Sequence, residues 1–135
     1  DLFSGVGSFG LECLSRDSAF VTFIENYREV LPILRKNISN LSFVDKSKII
    51  EKDIFNQLDF NFLNDKFDII FMDPPFKEKF LSELLKKILE SKILSKKGII
   101  IIHRHKNDND KFSELFNIIE EKTYGISKII FGKFY

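Results

Sequence analysis

The sequence predicts an α/β fold with an open, mostly parallel sheet that ends in an antiparallel hairpin. Three observations support this fold class. Strand-like runs of β-branched and aromatic residues alternate with helical runs, a glycine-rich turn follows the first strand-like run, and the last two strand-like runs flank a turn at Gly125. Alternating strands and helices form parallel βαβ units, whereas two strands joined by a short glycine-containing turn form a hairpin.

Five elements are predicted in the first half of the chain. The second helix has two possible beginnings. Asn26 and Glu29 have capping-box spacing, but Pro32 would then lie inside the helix, where it either kinks the helix or marks a later start. The elements are, in order, a strand end at residues 1–3, a helix at 8–16, a strand at 20–24, a helix from Asn26 to about Leu41 and a strand at 48–52.

The second half is predicted to alternate in the same way before it ends in the hairpin. Its clearest helix places six apolar side chains along one face between Phe80 and Leu89, which is the pattern of a helix packed on a core. The elements are, in order, a strand at 67–72 that stops at Asp73, a helix at 77–92, a strand at 98–103, a short helix around 111–115 and strands at 116–123 and 127–134.

Length and composition fit one globular domain spanning residues 1–135. Of the 135 residues, 44% are hydrophobic and 30% are charged, as in ordinary globular domains of this size. Cys13 is the only cysteine, which excludes a disulfide framework and a multi-cysteine zinc site. No uninterrupted apolar stretch is longer than that at residues 99–102, which is far below the ~20 residues of a membrane span. We therefore expect a cytoplasmic, monomeric protein with no membrane association.

Basic residues are concentrated in one part of a nearly neutral chain. The formal net charge is +1, but residues 77–106 carry nine basic and three acidic residues, a net charge of +6 that leaves −5 for the rest. A local basic region can contact phosphate groups. Solvated lysines on a helix and its loops give the same pattern, so charge alone leaves both interpretations open.

A glycine-rich turn with G-x-G-x-x-G spacing contains Gly5, Gly7 and Gly10 and opens the first helix. Such glycines let the backbone approach a ligand closely, and the helix N-terminus offers unpaired N–H groups. The spacing fits a nicotinamide dinucleotide and S-adenosylmethionine equally, and it also occurs in turns that serve only helix–sheet packing. Asp1 favours a ligand with a cationic group, because its carboxylate would repel a pyrophosphate.

Acidic residues follow several of the predicted strands. Asp1, Glu25, Asp53 and Asp73 all lie at predicted carboxyl ends, which is where open α/β sheets bind ligands. We therefore expect them to form one site together with Gly5. In such a site Glu25 can accept hydrogen bonds from ribose hydroxyls.

The segment from Asp73 to Phe76 suits an exocyclic amine of a nucleobase. Such an amine is a poor nucleophile because its lone pair is delocalised into the ring. The Asp73 carboxylate and the Pro74 carbonyl, which we expect the rigid turn to leave unpaired, can accept its hydrogens and direct the lone pair at a methyl donor. Phe76 can stack on an extruded base. The simpler alternative is a turn that ends the strand with an Asx cap.

Residues 1–12 and 14–16, Asn37 and residues 73–76 together resemble the RsmD family, bacterial methyltransferases that modify the N2 amino group of a guanine in 16S ribosomal RNA. The resemblance extends over nearly the whole chain. It implies a Rossmann-like S-adenosylmethionine-dependent methyltransferase fold, S-adenosylmethionine as cofactor, and 16S rRNA of the small ribosomal subunit as partner. Family members begin with a basic segment and a hairpin, so we expect the start of the first strand and an N-terminal substrate-binding segment to be absent here.

The resemblance also implies the functional residues. Glu25 would bind the ribose, Asp53 the adenine amine, and Ile54 with Phe55 would flank the adenine ring, although Asp53 as a helix N-cap is an alternative. The implied catalytic residues are Asp73, Pro74 and Phe76. The predicted substrate-binding residues are Pro75, Phe76, Lys77 and Lys79, of which the two lysines come from the basic region at residues 77–106. The implied cofactor-binding residues are Asp1, Phe3, Gly5, Gly7, Gly10, Glu25, Asn26, Asp53, Ile54 and Asp73.

Other functions are compatible with parts of this pattern. A DNA methyltransferase acting on adenine N6 or cytosine N4 would keep the cofactor, although 135 residues leave no room for a separate target-recognition domain. A noncatalytic RNA-binding module with a vestigial cofactor site is disfavoured by the intact acidic residues. A nicotinamide-dependent dehydrogenase gives no role to residues 73–76.

Two remaining features are predicted to be structural. His103 and His105 alternate on a strand end without a carboxylate or cysteine at ligand spacing, so we expect surface histidines and no metal site. Cys13 lies on the apolar side of the first helix and is expected to pack rather than act as a nucleophile.

Overall fold

The computed structural model describes residues 1–75 and 78–135, with side chains for all of these except Glu78 and Lys79. It divides into two compact units, residues 1–53 and 54–135, each of which is described by itself. The expectation of one domain over residues 1–135 stays a prediction. Phe76, Lys77 and the Lys79 side chain, which were predicted to act in catalysis or substrate binding, lie outside the described part.

The first unit combines a parallel strand pair with two helices. Its elements are α1 (Ser8–Ser15), β1 (Val21–Glu25), α2 (Leu31–Asn40), a short 3₁₀ helix (Val44–Lys46) and β2 (Ser47–Glu51). β1 and β2 pair in parallel, and Leu2 forms an isolated parallel bridge with Ile24, so residues 1–3 behave as the predicted strand end. The buried core consists of Leu11, Leu14, Phe23, Leu34 and Ile38.

Helix α2 begins later than the capping-box spacing predicts. It starts at Leu31 rather than after Asn26, and no side chain caps its first turn. Pro32 lies in that first turn, where its missing N–H removes no helical hydrogen bond. The backbone N–H group of Asn26 donates instead to the carboxylate of Glu25. The later start is therefore confirmed and the capping box is wrong.

The second unit is a four-stranded mixed sheet with one helix between its first two strands. Its elements are β3 (Phe67–Met72), α3 (Glu78–Ser91), β4 (Leu94–His105), β5 (Phe116–Tyr124) and β6 (Ser127–Phe134). The strand order is β3-β4-β6-β5. β3 and β4 are parallel, whereas β6 is antiparallel to both of its neighbours. The predicted terminal hairpin, with one antiparallel strand beside the edge, is confirmed.

Two predictions in this unit are wrong. β4 begins at Leu94 rather than Gly98, because Leu94 pairs with Phe67 at the start of β3. The sequence did not indicate this earlier start, since residues 95–97 are polar. The short helix expected around residues 111–115 does not form. The Ser113 hydroxyl instead accepts a hydrogen bond from the Leu115 N–H, and such local side-chain bonds compete with helical ones.

Burial alternates along the end of β4 and determines which residues face the core. Ile100 and Ile102 are fully buried, and Arg104 lies on the same face with only 4% of its surface exposed. Residues on one face of a strand recur every second position, so an arginine occupies a core position. Of the helices formed by the described residues, none is both long and apolar enough to cross a bilayer.

Candidate functional site

The glycine-rich turn joins the first strand end to α1 in the first unit. Gly5 has φ +53° and Gly7 has φ +89°, values that glycine adopts most readily. A Cβ at Gly10 would lie 2.3 Å from Cε1 of Phe23, so this glycine allows the helix to pack closely. A Cβ at Gly5 would meet no atom within 4 Å. Packing therefore accounts for Gly10, whereas Gly5 borders open space.

Asp1 lies beside this turn with one satisfied and one unsatisfied carboxylate oxygen. Its Oδ2 accepts a hydrogen bond of 3.0 Å from the Gly10 N–H. Its Oδ1 is buried and has no hydrogen-bond partner in the part of the chain that the structure describes. A buried carboxylate oxygen without a partner is costly, so this atom is suited to a donor from a bound ligand, above all a cationic one.

Glu25 connects the end of β1 to the glycine-rich turn. One oxygen, Oε2, accepts a 2.7 Å hydrogen bond from the Gly5 N–H. The other, Oε1, accepts hydrogen bonds of 2.8 and 2.9 Å from the N–H groups of Asn26 and Tyr27. An ionised carboxylate offers about four acceptor positions, so about one remains for an external donor. Glu25 therefore fixes the shape of the turn, a structural role that the sequence did not predict.

Two further residues influence the geometry of the turn. The Asn37 side chain on α2 donates a 3.0 Å hydrogen bond to the Val6 carbonyl, and no spacing signal in the sequence predicted this contact. Phe3 has φ +57°, a left-handed conformation that is uncommon for a residue other than glycine. Such strained residues concentrate at functional sites.

Residues 53–55 lie where the first unit ends and the second begins. Asp53 is the last residue of the first unit, and Ile54 is buried in the second. The Phe55 ring lies 4.2 Å from that of Phe80, measured between centroids. The predicted adenine contacts of Asp53 and Ile54, and the role of Asn26 in cofactor binding, stay predictions.

The Asp73–Pro75 turn follows β3 in the second unit and contacts the end of β4. Nδ1 of His103 lies 3.1 Å from Oδ1 of Asp73, whose side chain is 53% exposed. The buried Pro74 presents its carbonyl to Nη1 of Arg104 at 3.5 Å. The expectation that the Pro74 carbonyl is unpaired is therefore wrong, because the neighbouring strand brings an arginine to it. A carbonyl oxygen has two lone pairs, so it can still accept a substrate hydrogen.

A buried ion pair supports this turn. The Arg104 guanidinium forms two hydrogen bonds of 2.8 Å, Nε to Oδ2 and Nη2 to Oδ1 of Asp110, and the two side chains are only 3% and 1% exposed. The Nε atom also lies 3.4 Å from Oδ2 of Asp108. Sequence motifs did not identify this pair, although the alternation of Ile100, Ile102 and Arg104 along β4 placed the arginine on the buried face.

The remaining titratable candidates take structural roles. Nδ1 of His105 accepts a 3.2 Å hydrogen bond from the Asn107 N–H. Within residues 1–75 and 80–135, no group of three or more histidine, cysteine, aspartate or glutamate side chains could hold a metal ion. Burial raises the pKa of the Cys13 thiol, which disfavours the nucleophilic thiolate.

The predicted site residues therefore fall into two sets. In the first unit, Asp1 accepts a hydrogen bond from Gly10, and Glu25 accepts one from Gly5. Asp73 has its contacts in the second unit. The prediction that all strand-end carboxylates form one site stays a prediction.

Known proteins are similar to this chain over both of its units. The family model described as conserved hypothetical protein 95 matches residues 1–133. The ribosomal RNA small subunit methyltransferase D of Haemophilus influenzae is 31% identical over 131 residues, which cover 93% of this chain and 66% of that protein. The relatives with this name in several bacteria are matched over 50% to 66% of their own length, so the chain spans between half and two thirds of each.

Solved structures share the fold. A Haemophilus influenzae protein of known structure is 29% identical with a TM-score of 0.81, covering 97% of this chain and 83% of that one. An RNA methyltransferase from Salinibacter ruber in complex with S-adenosyl-L-homocysteine is 14% identical with a TM-score of 0.74, covering 97% and 76%. These similarities confirm the predicted Rossmann-like methyltransferase fold.

Proposed function

Because the chain belongs to the RsmD family of methyltransferases, we propose that the protein transfers the methyl group of S-adenosylmethionine to N2 of a guanine in 16S rRNA of the small ribosomal subunit. A relative carries the name of a small-subunit rRNA methyltransferase, and an RNA methyltransferase of the same fold was solved with S-adenosyl-L-homocysteine. We also propose that N2 is the methylated position, that the protein is monomeric and cytoplasmic, and that Lys77 and Lys79 contact RNA phosphates.

The observation that carries the proposal is the buried Oδ1 of Asp1, which has no hydrogen-bond partner among the described residues. The methionine part of S-adenosylmethionine has a primary ammonium group, which can donate to this oxygen and remove the cost of its burial. Open space beside Gly5 gives the ligand room next to the turn. A nicotinamide dinucleotide would instead place a pyrophosphate near the Asp1 carboxylate, where like charges repel.

The residues of the first unit would hold the cofactor in a fixed orientation. Asp1 would bind the ammonium group, and the remaining acceptor position of Glu25 would bind a ribose hydroxyl. The bound cofactor supplies an electrophilic methyl group and a neutral thioether leaving group. Because Glu25 also accepts from the Gly5 N–H, ribose binding and the shape of the turn depend on one carboxylate.

The Asp73–Pro75 turn would bind and orient the guanine amine. Oδ2 of Asp73 and the Pro74 carbonyl would each accept one amine hydrogen, which directs the nitrogen lone pair towards the methyl group. Transfer requires nitrogen and methyl carbon in line at about 3 Å, and such positioning accounts for much of the rate in reactions of this kind. The nitrogen gains a carbon–nitrogen bond and then loses one proton to Asp73 or to water.

The proposal is tested by binding and methyl transfer with the intact protein. Calorimetry should show binding of S-adenosylmethionine and none of NADH. Radiolabelled S-adenosylmethionine should label small ribosomal subunits, and nuclease digestion should recover the label as N2-methylguanosine. Asp73→Ala should abolish transfer while cofactor affinity changes by less than about twofold. Asp68→Ala, on the same strand but bound to Ser95 at the surface, is the matched control and should remain active.

Three outcomes would contradict parts of the proposal. Retained transfer in Asp73→Ala would remove Asp73 from the amine site. Label in duplex DNA and none in ribosomal subunits would favour the DNA amino methyltransferase. RNA binding without any turnover by the intact protein would favour a noncatalytic module.

A further inference from the structure

We propose that the end of β4 positions both acceptors of the amine site, with His103 holding Asp73 and Arg104 holding Pro74. This inference rests on the proposed function, because it concerns how the same amine is oriented. Neither residue was predicted to contribute to the reaction. Both are positioning residues, since they would act on the amine through the Asp73–Pro75 turn.

The pairing of β3 with β4 brings these residues together. The two strands are parallel, and Met72 is opposite Ile102 in the register. The residues that follow β3 are Asp73 and Pro74, and the next residues along β4 are His103 and Arg104. Side chains alternate between the two faces of a strand. Each acceptor therefore has its own neighbour at the tip of the adjacent strand.

His103 would determine which carboxylate oxygen faces the amine. Its Nδ1 is 3.1 Å from Oδ1 of Asp73. An ionised carboxylate can only accept hydrogen bonds, so this contact is favourable when Nδ1 carries a proton. Donation to Oδ1 restricts rotation of an otherwise exposed carboxylate and directs Oδ2 towards the substrate. Among the described residues, the Asp73 side chain makes its polar contact with His103, so His103 is the group that orients it.

Arg104 would hold the second acceptor from the buried side. Asp110 engages Nε and Nη2 at 2.8 Å, which prevents the guanidinium plane from turning. Nη1 is then directed at the Pro74 carbonyl at 3.5 Å. This distance is at the long limit of a hydrogen bond, so Nη1 polarises and orients the carbonyl and leaves a lone pair for the amine.

Stability alone does not explain an ion pair at this position. Arg104 occupies the same strand face as Ile100 and Ile102, both fully buried. Replacing a buried ion pair by apolar residues of similar volume is often neutral or stabilising. A charged pair that extends from the core to the Pro74 carbonyl is consistent with a positioning role at the turn.

The tautomer of His103 provides a test that does not depend on activity. In ¹⁵N–¹H spectra of the intact protein, His103 should carry a proton on Nδ1. Neutral His105 should carry its proton on Nε2, because its Nδ1 accepts the Asn107 N–H. Asp73→Ala should abolish the Nδ1 preference of His103 and leave His105 unchanged. A neutral His103 protonated only on Nε2 in the unmodified protein would overturn the proposal.

Single-turnover methylation tests the consequence for the reaction. His103→Ala should lower the methyl-transfer rate about ten- to hundredfold, the range of one hydrogen bond to a charged group, with cofactor affinity changed less than about twofold. His103→Asn, whose side-chain N–H can replace Nδ1–H, should recover most of the rate. His105→Ala is the matched control and should retain the rate.

The outcomes separate this inference from the proposed function. Equal losses in His103→Ala and His103→Asn, or a loss of cofactor affinity as large as the loss of rate, would overturn the positioning role. An unmodified protein that binds S-adenosylmethionine but methylates no small subunit would reject the proposed function itself, and the positioning role would be rejected with it.

Discussion

Removal of the Arg104 guanidinium should destabilise the second unit strongly. Arg104→Ala leaves the Asp110 carboxylate buried, with a side chain that is 1% exposed and without its two 2.8 Å donors. Removing one partner of a buried ion pair costs about 3–5 kcal/mol, mostly because the remaining charge is uncompensated. At about 1.4 kcal/mol for each factor of ten, the folded-to-unfolded ratio should fall between a hundredfold and several thousandfold.

Chemical denaturation followed by circular dichroism measures this loss, and two further variants serve as controls. Arg16→Ala removes an exposed arginine paired with Glu12 and should cost less than about 1 kcal/mol. Arg104→Met combined with Asp110→Leu removes both charges and should recover much of the stability. If Arg104→Ala costs no more than Arg16→Ala, the pair is not buried in solution and the reasoning fails.

The double variant also separates stability from positioning. Its folded state should bind S-adenosylmethionine normally, because Asp1 and Glu25, the residues proposed to hold the cofactor, belong to the first unit. It lacks Nη1 at the Pro74 carbonyl, so methyl transfer should remain reduced although the fold is restored. Full methyl-transfer activity in a stable double variant would show that Arg104 has a structural role alone.

Three other variants or treatments test the first unit. Glu25→Gln places an amide group against backbone N–H groups that need acceptors, so cofactor affinity should fall at least about tenfold by calorimetry. Gly10→Ala brings a Cβ within 2.3 Å of Phe23 Cε1 and should cost about 1–3 kcal/mol in denaturation, whereas Ser8→Ala, at an exposed position of the same helix, should cost little. Burial raises the pKa of Cys13, so its alkylation by iodoacetamide should be slower than that of free cysteine at pH 8 and should accelerate only at higher pH. Equal alkylation rates of Cys13 and free cysteine would contradict the burial of this thiol.

The sequence predicted elements whose ends carry turn residues more accurately than elements whose ends depend on tertiary contacts. The strand at residues 67–72 has the predicted bounds, because an apolar run is followed directly by Asp73 and two prolines. The start of α2 was ambiguous because Pro32 conflicts with a helix that begins at Asn26. The structure shows the later start, since the Asn26 N–H that a capping box would use instead donates to Glu25. Likewise, the sequence predicted a short helix around residues 111–115, but the Ser113 hydroxyl accepts a hydrogen bond from the Leu115 N–H instead.

The candidate site shows the same difference. Some of its residues could be predicted from their position at a strand end, whereas the contacts of others depend on the register between neighbouring strands. Asp1, Glu25 and Asp73 were predicted because each lies at the end of a predicted strand, and strand ends are visible in the sequence. The contact of His103 with Asp73 depends on the alignment of β3 against β4, which no local pattern encodes. Arg104 had a weak signal, since it continues the alternation of Ile100 and Ile102, and a charge on a buried face requires a partner. In the structure Asp110, six residues later, meets that requirement. An unexplained charge in an apolar strand pattern therefore indicates that a buried partner exists, although not which residue provides it.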